Sequence, residues 1–310
     1  MQGTFKYFAN AVLGIAAGAA LSLTPALAAD PVRVSSKIDT EGALLGNMMA
    51  QLLESADIPV EENLQLGPTN IVRTALLQDE IDLYPEYTGN GAFFTQTADD
   101  PAWKKADKGY EKIRAYDKQH NDVVWLTPAP ANNTWAIALR RDIAEKHDLS
   151  TMADFAAWVR NGGEVKLAGS AEFVESEAAL PSFQQAYDFK LDQDQLLVLS
   201  GGNTAATIRA AAMNTSGTNA AMVYGTDGAI AAAGLKVMDD PRGVQMVYQP
   251  APVIRQETLE TYPRIPEILA PTFKSLDRET LQRLNRRIQV DGEPASDVAR
   301  DYLESHDLLD

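Results

Sequence analysis

Two runs of short apolar strands alternating with amphipathic helices restrict the fold of this chain more than any other feature. Val32-Arg33-Val34-Ser35-Ser36 alternates like a strand. Thr40 and Glu41 then lead into Leu44, Leu45, Met48, Met49, Leu52 and Leu53, the spacing of an amphipathic helix of about four turns. Residues 60–66 predict a second strand, 70–77 a second helix, and 81–85 a short strand broken by Pro85. The order β-α-β-α-β implies a mostly parallel sheet flanked by helices. A polar helical excursion follows at 97–120, and a strand at 123–126. The second run has strands at 135–139, 165–168, 196–200 and 220–224, with helices at 152–160, 179–187 and 204–213. Strand-like pieces at 246–248 and 253–254 precede three helices, 265–276, 278–290 and 294–306. The expected fold class is therefore α/β with two lobes. Residues 30–132 and 245–310 make lobe 1 and 133–244 make lobe 2, with the last helices packed on lobe 1. Ligands of such folds sit at the carboxyl ends of the strands, in the cleft between the units.

The first 29 residues read as a signal peptide rather than as structure. Lys6 is the only charge before Asp30, residues 8–23 are apolar, and Ala26-Leu27-Ala28 gives a small-x-small cleavage pattern. The apolar stretch is shorter than the ~20 residues that a membrane span needs. An exported, periplasmic, soluble protein is expected. The chain has no cysteine, which excludes lipid attachment, disulfides, thiolate nucleophiles and iron–sulfur clusters. A net charge of -16 argues against nucleic acid as a partner. Three scattered histidines, His120, His147 and His306, suggest neither a metal site nor a catalytic triad, so no metal or other cofactor is expected.

Five segments leave a strand or stand beside one, where ligands bind. They begin at Ser35, Tyr84, Asn132, Val223 and Val247, and four of them carry an aromatic: Tyr87, Trp135, Tyr224 and Tyr248. A single tyrosine after a strand is ordinarily packing. Four comparable positions in a chain with only 7% aromatics point to a shared purpose. Converging ring faces attract a quaternary ammonium, each face contributing ~0.5–2 kcal/mol. A trimethylammonium group donates no ordinary hydrogen bond, so ring faces suit it. A carboxylate at the other end of such a ligand would need a cation, and Lys37 is the nearest.

The chain resembles the substrate-binding proteins of ABC importers for compatible solutes such as glycine betaine, proline betaine, choline and carnitine. The similar segments are Ser36-Lys37-Ile38-Asp39-Thr40-Glu41, Asp82-Leu83-Tyr84-Pro85-Glu86-Tyr87-Thr88-Gly89, Asn132-Asn133-Thr134-Trp135-Ala136, Tyr224-Gly225-Thr226-Asp227-Gly228 and Tyr248-Gln249-Pro250-Ala251-Pro252. The Tyr-Pro-Glu-Tyr-Thr-Gly stretch is the most specific, and the likeness is greatest to the osmotically regulated, lower-affinity branch. The resemblance implies a two-lobed periplasmic binding protein, type II-like. It also implies a monomer that serves an ABC permease in the inner membrane and is not an enzyme.

By the same resemblance, Tyr87, Trp135, Tyr224 and Tyr248 form an aromatic cage for the quaternary ammonium, with Trp135 where relatives usually carry tyrosine. Lys37 matches the lysine that meets the ligand carboxylate, and Asn90 stands where a threonine often touches it. Relatives also clamp that carboxylate with an arginine near the place of Ser176, which here lies between Glu175 and Glu177. Its absence is expected to weaken carboxylate binding by ~1.5–3 kcal/mol. Weak betaine binding, or a preference for choline-like cations, follows.

Two other readings stay open at this stage. One is an exported ligand sensor with the same cleft. The other is a hydrolase of choline-like compounds using carboxylates such as Glu86 and Asp227, although no G-x-S-x-G motif is present. Gly201-Gly202-Asn203-Thr204 faintly resembles a phosphate-cradling loop, but no P-loop lysine follows it.

Overall fold

A computed structural model describes residues 1–2, 30–199 and 204–309. The body of the expected signal peptide and Gly201-Gly202-Asn203 lie outside the described residues. Every element below belongs to the compact unit Pro31–Asp310.

The strands are β1 (Val32–Lys37), β2 (Val60–Gly67), β3 (Leu83–Tyr87), β4 (Val123–Trp125), β5 (Trp135–Arg140), β6 (Leu167–Ser170), β7 (Leu196–Leu199), β8 (Ala220–Tyr224), β9 (Leu235–Val237) and β10 (Pro250–Arg255). They form two five-stranded sheets, ordered β2-β1-β3-β10-β4 and β7-β6-β8-β5-β9. Neither sheet is purely parallel. β10 runs antiparallel to β3 and β4, and β5 runs antiparallel to β8 and β9. These are the strands by which the chain enters each sheet after crossing from the other. A strand arriving at the end where the parallel strands finish must run against them.

Pro85 does not break β3. It stands opposite Pro252 in the β3–β10 ladder, and Pro250 stands opposite Tyr87. The carbonyls of Pro252 and Pro250 accept instead from Leu126 (2.9 Å) and Ala129 (2.8 Å) on the far side of β10. These prolines share the parity that points away from the ladder, so their missing N–H groups cost it nothing. Residues 246–248, expected as a strand, form none. Their backbone bonds go to Thr88 Oγ1, Trp103, Asn132 and Asn133 rather than to a sheet.

The helices are α1 (Thr40–Ser55), α2 (Thr69–Leu77), α3 (Gly91–Phe94), α4 (Ala106–His120), α5 (Arg141–Lys146), α6 (Met152–Arg160), α7 (Ala171–Glu175), α8 (Leu180–Tyr187), α9 (Thr204–Ala212), α10 (Ala229–Ala232), α11 (Gln256–Thr261), α12 (Ile265–Ser275), α13 (Arg278–Gln289) and α14 (Ala295–Ser305). Each sheet is covered on both faces, giving two three-layer α/β lobes. On the first, the α1 stripe of Leu44, Leu45, Met48, Met49 and Leu53 packs with Phe273, Leu281, Val298 and Leu303 of the last helices. The opposite face buries Val72, Tyr84, Trp103, Ile113 and Trp125. In the second sheet, Ile137, Phe155, Phe173, Phe183 and Met222 fill one face, and Ala138, Ile208, Val223 and Ile230 the other.

The two crossings run side by side. The Asn133 N–H donates to the Tyr248 carbonyl (2.9 Å), and the Tyr248 N–H donates to Asn132 Oδ1 (2.8 Å). Five of the candidate site residues, Lys37, Tyr87, Trp135, Tyr224 and Tyr248, stand at strand ends or on these crossings, at the junction of the lobes. Among the described residues no helix is long and apolar enough to cross a membrane, and no group of three or more acidic or histidine side chains is placed to hold a metal ion.

Candidate functional site

Lys37 ends β1, where the register against β2 shifts. Ser35 pairs with Asn63 but Lys37 with Gly67, so β2 bulges, with Gln65 in the left-handed region at φ 55. The lysine is only 4% exposed, and its ammonium is ion-paired with the fully buried Glu86 of β3. Glu86 also accepts from the Tyr84 hydroxyl (3.0 Å), the Tyr87 N–H (2.6 Å) and Asn90 Nδ2 (2.8 Å). The same ammonium lies 4.5 Å from the centroid of the Tyr87 ring. The lysine expected to meet a ligand carboxylate is therefore already neutralised, and it covers one aromatic face. Asn90 is bound to the same carboxylate as Lys37.

The network continues below the site. Arg73 is ion-paired with Asp117, which also accepts from Trp125 Nε1 (2.6 Å) and Asn121 Nδ2 (2.7 Å). Arg73 and Glu86 both act electrostatically on the Tyr84 phenol between them.

The second sheet supplies the other two aromatics. Trp135 begins β5 directly opposite Tyr224, the last residue of β8. Cross-strand partners project from the same face of a sheet, and these rings lie nearly parallel, 6.4 Å apart at 17°. They form a continuous wall rather than two jaws. Phe173 backs the indole edge-on at 5.9 Å. The Asp227 carboxylate fixes the turn after β8 by accepting the Tyr224 N–H (2.8 Å). Burial pushes the Asp227 carboxyl up to about 6.

Tyr248 reaches the site from the return crossing. Its ring rests on Gly89, where a Cβ would come within 2.7 Å of ring carbons, so any side chain there must displace the ring. Burial first, then the neighbouring Tyr224 and Glu86, pushes the Tyr248 phenol up to about 12. That coupling joins the first lobe's Glu86 and Tyr248 to the second lobe's Tyr224. Thus Tyr87, Tyr248, Lys37 and Asn90 assemble on one side of the junction and Trp135 and Tyr224 on the other.

Glu41 was not among the residues singled out from the sequence, yet it stands at the centre of the junction. Asp39 caps α1 by accepting the Gly42 N–H (2.8 Å), which sets Glu41 in the first turn facing inward. Glu41 accepts from the Tyr87 hydroxyl (2.7 Å), Asn133 Nδ2 (3.3 Å) and Asn285 Nδ2 (2.7 Å). Asn285 of α13 also donates to the Thr226 carbonyl beyond β8 (3.0 Å). Burial raises the Glu41 carboxyl to about 7, opposed by hydrogen bonds from Thr226, Tyr87 and Asn285. Burial, with the Glu41 carboxylate next, holds the Tyr87 phenol well above its usual range. The sequence did carry a signal: Glu41 precedes Leu44, Leu45 and Met48 by three, four and seven residues, which puts a carboxyl on an apolar helical stripe.

Ser176 closes α7, its N–H bonded to the Glu172 carbonyl (2.9 Å). Exposed Glu172 acts electrostatically on Tyr224, so the charge contributed here is negative.

The model for the substrate-binding domain of ABC-type glycine betaine transport systems matches residues 30–305. The glycine betaine-binding protein YehZ of Escherichia coli K12 is 58% identical over 285 residues, covering 92% of this chain and 93% of that protein. The solved apo structure of E. coli YehZ superposes with a TM-score of 0.86 at 56% identity, covering 90% of this chain and 100% of that one. EgtU of Helicobacter pylori, an ergothioneine transport permease and binding protein, is 30% identical over 289 residues, covering 92% of this chain and 50% of its own length. The chain belongs to the family of substrate-binding domains of ABC-type glycine betaine transport systems.

Proposed function

We propose that the protein captures a quaternary ammonium osmoprotectant of the glycine betaine or choline type in the periplasm and delivers it to an inner-membrane ABC permease. The ligand is bound and released unchanged. The observation that carries this reading is the assembly of two aromatics from each lobe at the crossing, beside a buried ion pair. Trp135 and Tyr224 would form one wall of the cage, Tyr87 and Tyr248 the other, and the lobes would close on the ligand about the paired crossings. Relatives named for glycine betaine binding support the same ligand class.

The state of Lys37 narrows the preference. A betaine carboxylate must compete with Glu86 for the ammonium and finds no arginine near Ser176. A choline-like cation needs no such exchange. Calorimetric titration with glycine betaine, choline, carnitine and ergothioneine tests the reading. Binding of at least one with weak or absent selectivity for the carboxylate is expected. Submicromolar betaine binding refutes the weak-carboxylate reading, and failure of all four refutes the ligand class.

A further inference from the structure

We propose that Glu41 is the positioning residue of the cage, acting on the ligand through Tyr87 and on the lobe junction through Asn285. The inference rests on the ligand reading above. Glu41 is 4% exposed and accepts from Tyr87, Asn133 and Asn285, with Thr226 a further partner, yet no lysine or arginine is paired with it among the described residues. A buried carboxyl without a cation is costly and needs a reason. The donors supply one, because they come from three separate parts of the fold. Tyr87 ends a strand of the first sheet, Asn133 lies on the outward crossing, and Asn285 lies on α13 and also holds the Thr226 carbonyl of the second lobe.

A phenol that donates to a carboxylate gains electron density in its ring. The π-face of Tyr87 is therefore more attractive to a cation when Glu41 is charged than when it is neutral. Glu41 can strengthen the hold on a quaternary ammonium without touching it. Burial raises its carboxyl to about 7, so its charge changes near neutral pH.

The other charged groups around Glu41 are accounted for. Asp39, which caps α1, raises its proton affinity. Lys37 of β1 and Glu86 of β3 are paired with each other. Arg286, next to Asn285 on α13, lies 3.7 Å from Asp291. Asp227, after β8, is engaged with the Tyr224 backbone.

The test uses the mature protein, glycine betaine and choline as probes, and titrations at about pH 5.5 and about pH 8.5. Affinity is expected to rise at least about threefold with pH in the wild type. In Glu41→Gln it should be weaker and its rise with pH smaller, leaving only what Asp227 contributes. Tyr87→Phe keeps a ring but loses the link, and should show the same smaller rise, which covers the case in which Glu41→Gln does not fold. In ligand-free protein labelled with 13C-tyrosine, the Tyr87 ring carbon, assigned by its loss in Tyr87→Phe, should shift with a midpoint near 7. A wild-type pH profile retained in both variants, or a Tyr87 signal that ignores pH while ligand still binds, overturns the inference alone. A titrating Tyr87 in a protein that binds neither probe overturns the ligand reading and the inference with it.

Discussion

The Lys37 ammonium lies 4.5 Å from the centroid of the Tyr87 ring while ion-paired with Glu86, so the site holds a cation of its own against an aromatic face. A ligand cation that uses that face must displace or share it. Glu86→Gln frees the lysine charge for a ligand carboxylate. We expect the ratio of betaine to choline affinity to rise at least about fivefold, on the scale of one charged hydrogen bond. An unchanged ratio by calorimetry would show that Glu86 does not set the preference. Lys37→Met leaves Glu86 buried without its cation and should cost about 3–5 kcal/mol of stability, read by denaturant unfolding.

The aromatic assignment predicts separable losses. Tyr87→Ala and Trp135→Ala should each weaken a quaternary ammonium at least about tenfold, because each removes one ring face. Circular dichroism should remain that of the parent. Normal binding by both variants removes these two rings from the cage.

Two glycines distinguish damage to the site from damage to the fold. A methyl group on Gly89 strikes the Tyr248 ring, a side chain free to turn aside, so Gly89→Ala should fold and lose affinity. A methyl on Gly228 would lie 2.2 Å from the Arg286 backbone nitrogen, where α13 meets the turn before α10. Gly228→Ala should therefore lower the melting temperature far more than Gly89→Ala. The reverse order in a thermal-shift comparison contradicts this packing.

Stability should fall as pH rises through neutrality. Glu41 is raised from its ordinary 4.5 to about 7 and Asp227 from 3.8 to about 6. A carboxyl raised on folding stabilises fully below its unfolded value, and that contribution is lost as pH climbs to the folded one. For Glu41 the loss is about 3 kcal/mol. Melting temperatures at about pH 5 should exceed those at about pH 8, with a smaller difference in Glu41→Gln. Equal differences in the two proteins would remove Glu41 as the cause.

Asp117 gives a prediction remote from the ligand. It is fully buried and satisfies Arg73, Trp125 and Asn121 together. Asp117→Ala should destabilise by about 3–5 kcal/mol through the orphaned guanidinium. Ligand selectivity should be unchanged. A shift in selectivity by titration would mean that the chain Arg73–Tyr84–Glu86 transmits to the site.

Much of the architecture was legible without coordinates, because helical and strand periodicities are local. The apolar stripe of α1 and the placing of Trp135 and Tyr224 beside strands follow from residues a few places apart, whereas the pairing of those two rings and the packing of the last helices on α1 join residues far apart in the chain. The proline in β3 misled because its cost depends on which way its nitrogen faces, and the neighbouring strand decides that.

By itself the sequence determined the alternating α/β elements, the strand-end placement of Tyr87, Trp135 and Tyr224, and the excluded chemistries. Only the tertiary structure decided what Lys37 and Glu41 face. Lys37 finds Glu86 across 49 residues, and Glu41 finds Asn285 across 244. No local pattern specifies a hydrogen bond at such a separation. It exists because the chain crosses between the lobes and returns, bringing α13 back beside α1 and closing a buried polar network that neither segment could satisfy alone.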